Sequence, residues 1–157
     1  MVGNSNKKIS CTILVLTYKG RKHLELLLPT IKTAIEQTTA YHFDVLIVDN
    51  AADQETANFV FRNFPKFMIR SAANNDYLFS LNDFVKNLRT SFVLILNDDM
   101  KLAPDVLNKI MPVISADSQL FSVGCNVLNW EGTETTVGLR VMQYSRGWMR
   151  TYFDELE

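Results

Sequence analysis

Phe92-Val93-Leu94-Ile95-Leu96-Asn97-Asp98-Asp99-Met100 is the stretch that decides the fold. Five apolar residues, β-branched and aromatic among them, run without interruption into a carboxamide and two adjacent carboxylates. A short continuous apolar run of this kind predicts a strand covered on both faces, as in parallel sheets. Carboxylates at its C-terminal end then emerge where open parallel sheets place their ligands. Two neighbouring Asp repel each other when ionised, so a cation or a set of hydrogen-bond donors is the expected companion.

Upstream, Cys11-Thr12-Ile13-Leu14-Val15-Leu16 predicts another buried strand, followed by the loop Thr17-Tyr18-Lys19-Gly20-Arg21. From Lys22 to Thr38, the residues Leu24, Leu27, Leu28, Ile31, Ala34 and Ile35 recur at helical spacing, with Pro29 marking a kink or the start of the helix proper. Phe43 to Val48 predicts a second strand, ending in Asp49-Asn50. Asp53 is placed to cap a second helix that carries Ala57, Val60, Phe61 and Phe64 inward and stops at Pro65. A short third strand over Phe67-Met68-Ile69-Arg70 and a turn at Asn74-Asn75-Asp76 follow. A third helix presenting Leu81, Phe84, Val85 and Leu88 then leads into the opening strand.

Downstream, Pro104 suits the first turn of a fourth helix with Val106, Leu107, Ile110, Met111 and Ile114 on one face, which Pro112 ends early or bends. Phe121 to Leu128 predicts a fifth strand, and Trp130-Glu131-Gly132-Thr133 a turn able to close a hairpin. Thr135 to Tyr144 alternates weakly, as a further strand would.

Alternating strands and helices predict an α/β fold: a doubly wound, mostly parallel, Rossmann-like sheet with helices on both faces. Right-handed crossovers favour strand order 3-2-1-4, with the switch point between strands one and four. That order brings Thr17, Asp49 and Asp98-Asp99 to one rim. The loop after the first strand holds a single glycine, Gly20, so the dinucleotide fingerprint and the phosphate-binding P-loop are both excluded.

With 157 residues the chain can build one domain around a sizeable core. Hydrophobic content of 47% and charged content of 21% describe a globular rather than a disordered chain. A net charge of -1, from 16 basic and 17 acidic residues, argues against a nucleic-acid partner. Residues 1–10 form a polar lead without the apolar core of a signal peptide. No stretch approaches the ~18 continuous apolar residues of a membrane span. The expectation is a soluble domain in the cytoplasm, able to work peripherally at the inner face of a membrane. Cys11 and Cys125 both sit in apolar, strand-like runs and read as small buried hydrophobes, with no zinc-ligand spacing around them.

Four motifs carry a resemblance. Val15-Leu16-Thr17-Tyr18-Lys19 is similar to the first motif of family 2 glycosyltransferases, and Ile47-Val48-Asp49-Asn50 to the ending of their second strand. Asn75 and Asn82 match the paired Asn around the third helix, and Leu96-Asn97-Asp98-Asp99 resembles the Asp-x-Asp segment. The resemblance implies a GT-A fold, a nucleotide-diphosphate-sugar donor, a saccharide or lipid-linked acceptor, and Mn²⁺ or Mg²⁺. It assigns Asp99, with Asp98 beside it, to the metal, and turns Asp98 also toward the donor's ribose or phosphates. It makes Thr17, Tyr18, Asp49 and Asn82 donor-binding residues. Read as residues, Asp49 either accepts from the nucleotide base or closes an Asx turn with Asn50, and Thr17 contacts base or ribose or is a loop hydroxyl. Asn82, a poor helix former inside a helix, is a donor contact or a structural amide.

Two positions depart from the family pattern. Tyr77 stands where a glycine is usual, and Asn97 replaces the first Asp of the Asp-x-Asp. His23 and His42 show no acid–base partner in the sequence and read as surface or packing residues. Arg62, Arg70, Arg89 and Lys101 read as solvated or helix-end charges, with Arg70 alone near enough to a strand end to reach the nucleotide.

An inverting transfer needs a base beside the attacking hydroxyl, and the family's Glu-Asp motif does not follow Asp99 here. Asp154, Glu155 and Glu157 are the remaining acids, in a terminal segment. The expected organisation is therefore a polar lead over 1–10, a nucleotide-sugar-binding domain over 11–128, and the incomplete start of an acceptor-side region over 129–157. The aromatic and basic residues of 144–153 would belong to the interrupted core of that region. The expected function is the donor-binding half of a glycosyltransferase making cell-surface polysaccharide or glycoconjugate. The alternative is a non-catalytic module that keeps the GT-A fold as a scaffold. A receiver-like signalling domain would need an acidic pair where this chain has Thr17-Tyr18.

Overall fold

The computed structural model describes residues 8–72, 76–137 and 140–153. The chain divides into two compact units, Met1–Lys109 and Ile110–Glu157. The first contains strands β1 (Ser10–Thr17), β2 (His42–Asp49), β3 (Met68–Ser71) and β4 (Phe92–Asn97), with helices α1 (Arg21–Glu36), α2 (Gln54–Asn63) and α3 (Tyr77–Val85) between them. Helix α4 (Val106–Ala116) runs across the division.

The four strands form one parallel sheet in the order β3-β2-β1-β4, as the crossover argument predicts. Its register fixes the rim: Thr17 lies beside Asp49 on one side, and Leu16 beside Asn97 on the other. Asp98 therefore leaves the sheet next to Thr17.

Both faces of the sheet are packed. Leu14, Leu16, Leu46 and Val48 form a buried cluster against Leu81, Phe84 and Val85 of α3, and against Leu88 just beyond it. Strand alternation turns Ile13, Val15, Val45 and Ile47 to the opposite face, where right-handed crossovers place α1 and α2. Helix α1 buries Leu24, Leu27, Leu28, Ile31 and Ala34, the predicted stripe, and Pro29 lies inside it without ending it. Two hydrogen bonds tie the α4 region to α1 and its C-cap: Leu102 N, ahead of α4, donates to Thr30 Oγ1, and Asn108 Nδ2 of α4 to the Gln37 carbonyl. Pro112 does not stop α4, which continues to Ala116.

Three expectations are corrected here. β4 is not covered on both faces. Among the described residues it is the edge of the sheet, paired on one side only, and Ile95 is 41% exposed. In α2 the buried positions are Thr56 and Val60, whereas Phe61 is 76% exposed. The stripe is rotated because the Asp53 cap holds Thr56 down against the loop, which turns Phe61 outward. Cys125 is exposed, whereas Cys11 is buried as expected.

The second unit corrects a fourth. Phe121 to Leu128 is not a single fifth strand; within it only β5 (Val127–Leu128) is a strand, paired antiparallel with β6 (Thr135–Val137). Alternating apolar residues supply a face but not a hydrogen-bonding partner, and without one no ladder forms. Phe121 is fully exposed. The predicted turn does close this hairpin, with Asn129 Oδ1 accepting from Thr133 N at 2.8 Å. The weakly alternating segment is broken into β6 and β7 (Arg140–Ser145), and β7 pairs with β8 (Trp148–Phe153). Arg146 and Gly147 join β7 to β8 with φ of 50° and 82°, the double positive-φ turn that suits the twist of a tight hairpin.

Candidate functional site

At the C-terminal rim of the sheet, Asp98 is held from two sides. Thr17 Oγ1 donates to Asp98 Oδ2 at 2.5 Å, and His23 Nδ1 lies 3.4 Å from Asp98 Oδ1. Gly20 completes the notch: a Cβ there would collide with Asp98 Oδ2 and Thr17 Oγ1, so the carboxylate fits only against a bare backbone. Asp98 is 17% exposed as a result. The neighbouring Asp99 is exposed, and among the described residues it has no hydrogen bond or ion pair. Asn97 Oδ1 accepts from the Tyr77 hydroxyl at 3.2 Å, so both departures from the family pattern meet in one contact.

Asp49 is 2% exposed, and both its oxygens serve the loop that follows. Oδ1 accepts from Ala51 N at 2.9 Å and Oδ2 from Asp53 N at 2.7 Å, the Asx-type closure that the sequence left open. Its neighbour Asn50 is bound by its backbone N to the Thr17 carbonyl at 2.9 Å. Asn50 Oδ1 is buried and lacks a hydrogen-bond partner among the described residues. A buried acceptor left unpaired costs about 1–3 kcal/mol.

The first turn of α1 borders this rim. Lys19, Gly20, Arg21, Lys22, His23, Asp53 and Glu55 line a cleft of about 440 Å³. Arg21 is committed within it: the guanidinium pairs with Glu55, with Glu25 at 2.9 Å, and stands over the Phe59 ring at 5.6 Å. Lys19 Nζ lies 5.6 Å over the half-exposed Tyr18 ring. A larger cavity of about 540 Å³, lined by Lys8, His42, Asp44 and Arg89 among others, lies at the N-terminal ends of the strands. Parallel sheets bind at the other end, and the smaller cleft is the one that borders Asp98, through Gly20 and His23.

Thr17, Tyr18, Asp49, Asp98 and Asp99 are therefore gathered at one rim. Asn82 is exposed in the middle of α3, and no contact among the described residues joins its side chain to Thr17, Asp49 or Asp98. Arg70 is exposed one register position short of the rim, opposite Val48. Asn74, Asn75, Asp154, Glu155 and Glu157 lie outside the described residues. Sequence reasoning missed Gly20, Asn50 and His23, and its reading of His23 as lacking an acid partner is corrected. His23 follows Thr17 by six residues, and only the turn into α1 brings it to a carboxylate on another strand. His42 also has a partner, Asp44 Oδ1 at 3.3 Å, at the far end of the sheet.

No group of three His, Cys, Asp or Glu side chains gathers among the described residues. The donor set suits a hard dication that takes one or two carboxylates from protein and keeps oxygen ligands from phosphate and water. Asp99 is the free carboxylate for it, with Asp98 beside it. Burial pushes the Cys11 thiol up to about 11, so that residue is an inert core group and not a ligand.

The fold has known counterparts. S. aureus TarS (residues 1–349) superposes with a TM-score of 0.56 at 18% identity, over 77% of this chain and 40% of that one. The mannosyltransferase PcManGT from Pyrobaculum calidifontis, solved in complex with GDP-Man and Mn²⁺, superposes with a TM-score of 0.58 at 21% identity, over 70% and 33%. The chain thus spans well under half of the length of these structures. Compared by sequence with curated proteins, it has no match. The family described as Glycosyl transferase family 2 matches residues 12–156, nearly the whole chain. This chain, with its parallel sheet and its GT-A counterparts, belongs to glycosyl transferase family 2.

Proposed function

We propose that this chain is the donor-binding half of a metal-dependent glycosyltransferase, which moves a sugar from a nucleoside-diphosphate sugar to an acceptor hydroxyl with inversion. The observation that carries this reading is the division of labour between adjacent carboxylates. Asp98 is clamped by Thr17 and His23, while Asp99 is left exposed beside it at the binding edge of a parallel sheet. Asp99, with Asp98, would hold Mn²⁺ or Mg²⁺. When bound, the cation supplies charge neutralisation for the departing nucleoside diphosphate.

The remaining roles follow from position. Asn50, partly exposed on the loop after β2 and tied by its backbone N to the Thr17 carbonyl, is placed to meet the nucleotide base. Asp49 supports it by fixing the loop over 50–53, and Tyr18 offers an exposed ring to the base or ribose. Lys19 and Lys22 at the cleft favour a polyanionic ligand. Asn82 remains a donor contact only if the complete site folds toward α3. The acceptor, a saccharide or lipid-linked saccharide of cell-surface glycan synthesis, and the base that deprotonates it belong to parts of the protein beyond this rim. Work at the cytoplasmic face of a membrane is consistent with that acceptor, and no described helix is long and apolar enough to cross one.

Thermal unfolding tests the reading. UDP, GDP or dTDP should raise the Tm in the presence of Mn²⁺ or Mg²⁺ and leave it unchanged in EDTA. If no nucleoside diphosphate shifts the Tm with either metal, the donor-binding reading is wrong and the non-catalytic scaffold takes its place.

A further inference from the structure

The two faces of the sheet are covered to different lengths. Strands β1 and β2 hold eight residues each, about 26 Å of extended chain, and α1 with its 16 residues is about 24 Å long. Helix α3 has nine residues, about 14 Å, and packs on the other face over Leu14, Leu16, Leu46 and Val48. Strand alternation and the parallel register put Ser10, Thr12, His42 and Asp44 on that same face, ahead of the apolar set. Starting at the rim, where Tyr77 meets Asn97, α3 is too short to reach them. These strand residues, with the connection from Asn87 to Thr90, line the cavity of about 540 Å³ instead. Polar side chains thus stand where a longer helix would require apolar ones.

The lining has a definite chemistry. Arg89 is exposed and has no hydrogen bond or ion pair among the described residues. Lys8 Nζ spends one of its three protons on the Thr39 carbonyl at 2.6 Å. Against these two cations stands one carboxylate, Asp44, whose Oδ1 lies 3.3 Å from His42 Nε2. Thr12 and Thr90 are spent on each other at 2.8 Å and on the Phe92 carbonyl at 3.0 Å. Ser10 Oγ accepts from Ser91 N at 3.3 Å and keeps its own proton to donate. Met68 and Leu88 add apolar surface. Two cations suit an oxyanion, whereas the carboxylate and the Ser10 hydroxyl suit a body that carries hydroxyl groups. The apolar side chains suit the face of a sugar ring, and the volume is that of a small-molecule pocket.

We propose that this cavity is a second ligand site that takes a sugar phosphate, with Arg89 and Lys8 on the phosphate and Asp44 and Ser10 on the sugar hydroxyls. It lies at the opposite end of the sheet from Asp98 and Asp99 and does not depend on the donor-binding reading.

Amide NMR titration of the full chain in EDTA tests it, with glucose 6-phosphate, inorganic phosphate and glucose as probes. Glucose 6-phosphate should shift the amides of Ser10, Thr12, Asp44 and Arg89 saturably and leave those of Thr17, Asp98 and Asp99 in place. Inorganic phosphate should act on the same amides about tenfold more weakly, and glucose not at all. Arg89→Ala should weaken glucose 6-phosphate binding about tenfold, and it removes no hydrogen bond or ion pair of the described fold. Lys8→Ala repeats the test from another element and should act in the same direction. Several outcomes would overturn the proposal: no shift at these amides with glucose 6-phosphate well into the millimolar range, shifts confined to the rim around Thr17 and Asp98, or binding unchanged in both variants. Equal binding of inorganic phosphate and glucose 6-phosphate would overturn the assignment to a sugar phosphate. None of these results touches the donor site, which is read out by nucleoside diphosphates with metal.

Discussion

Two helices begin side by side at the same rim, and they begin in opposite ways. α2 is closed on itself: Asp53 caps it by accepting from Glu55 N and Thr56 N, Glu55 adds an acid to the first turn, and Asp49 locks the loop ahead of it. α1 has no side-chain cap and no acid in its first turn. It has Gly20, two cations, and a histidine facing a carboxylate on another strand. Both follow strands of one parallel sheet, so the difference is not topological. It lies in where the polar groups are spent. The α2 end uses its hydrogen bonds to stabilise its own start, whereas the α1 end gives up local stability and holds Asp98 in place, as a ligand-facing region would.

Substitutions at the two starts should separate cleanly. The largest effect is expected beside the α1 turn, at the free carboxylate. Asp99→Ala should weaken metal-dependent nucleoside-diphosphate binding by roughly 100-fold, the order seen when a metal's immediate environment is disturbed, with the Tm of the free protein unchanged. Gly20→Val comes next. Its side chain would displace both Asp98 and Thr17, costing about 1–3 kcal/mol as overpacking does, and calorimetry should show binding lost along with stability.

At the α2 start the effect is expected on stability. Asp53→Ala should lower the Tm by about 2–4 °C, a typical cap loss in a chain of this size. The Thr56 hydroxyl and backbone hold the Asp53 carboxyl below its ordinary value of 3.8. Its contribution is thus complete above that value and is lost as the pH falls through the lowered one. The Tm gap between Asp53→Ala and wild type should be constant at neutral pH and close only in acid below 3.8. A gap that closed near pH 6 would mean another group controls the cap. The smallest effect belongs to Phe61 on the outer face of α2. Phe61→Ser should change stability by less than about 0.5 kcal/mol in urea unfolding.

Much of the fold was legible because it rests on local signals. The apolar runs of β1, β2 and β4, the stripe of α1 and the Asp53 cap each announce themselves within a few residues, and short right-handed connections leave one strand order. What was not legible depends on neighbours. Ile95 and Phe61 sit in runs that read as buried, and their exposure comes from an edge position and from a helix rotation set by a cap. Residues 121–126 carry a strand pattern but pair with no strand among the described residues. At the site, Thr17, Asp98 and Asp99 were readable as strand ends. The contact of His23 with Asp98 and the notch at Gly20 were not, because each joins residues more than seventy positions apart. Asp49 was legible as a strand-end acid, and its two backbone hydrogen bonds show that its first task is to shape the loop carrying Asn50.

The central claim is that the α1 side of the rim, with Asp99, holds a nucleoside diphosphate through a divalent cation. Calorimetric titration of the chain with UDP, GDP and dTDP, each with and without Mn²⁺, tests it most directly. The account predicts saturable binding of at least one of them with Mn²⁺, and none in EDTA or with Asp99→Ala. Binding of equal strength with and without the metal, or unchanged in Asp99→Ala, would contradict it.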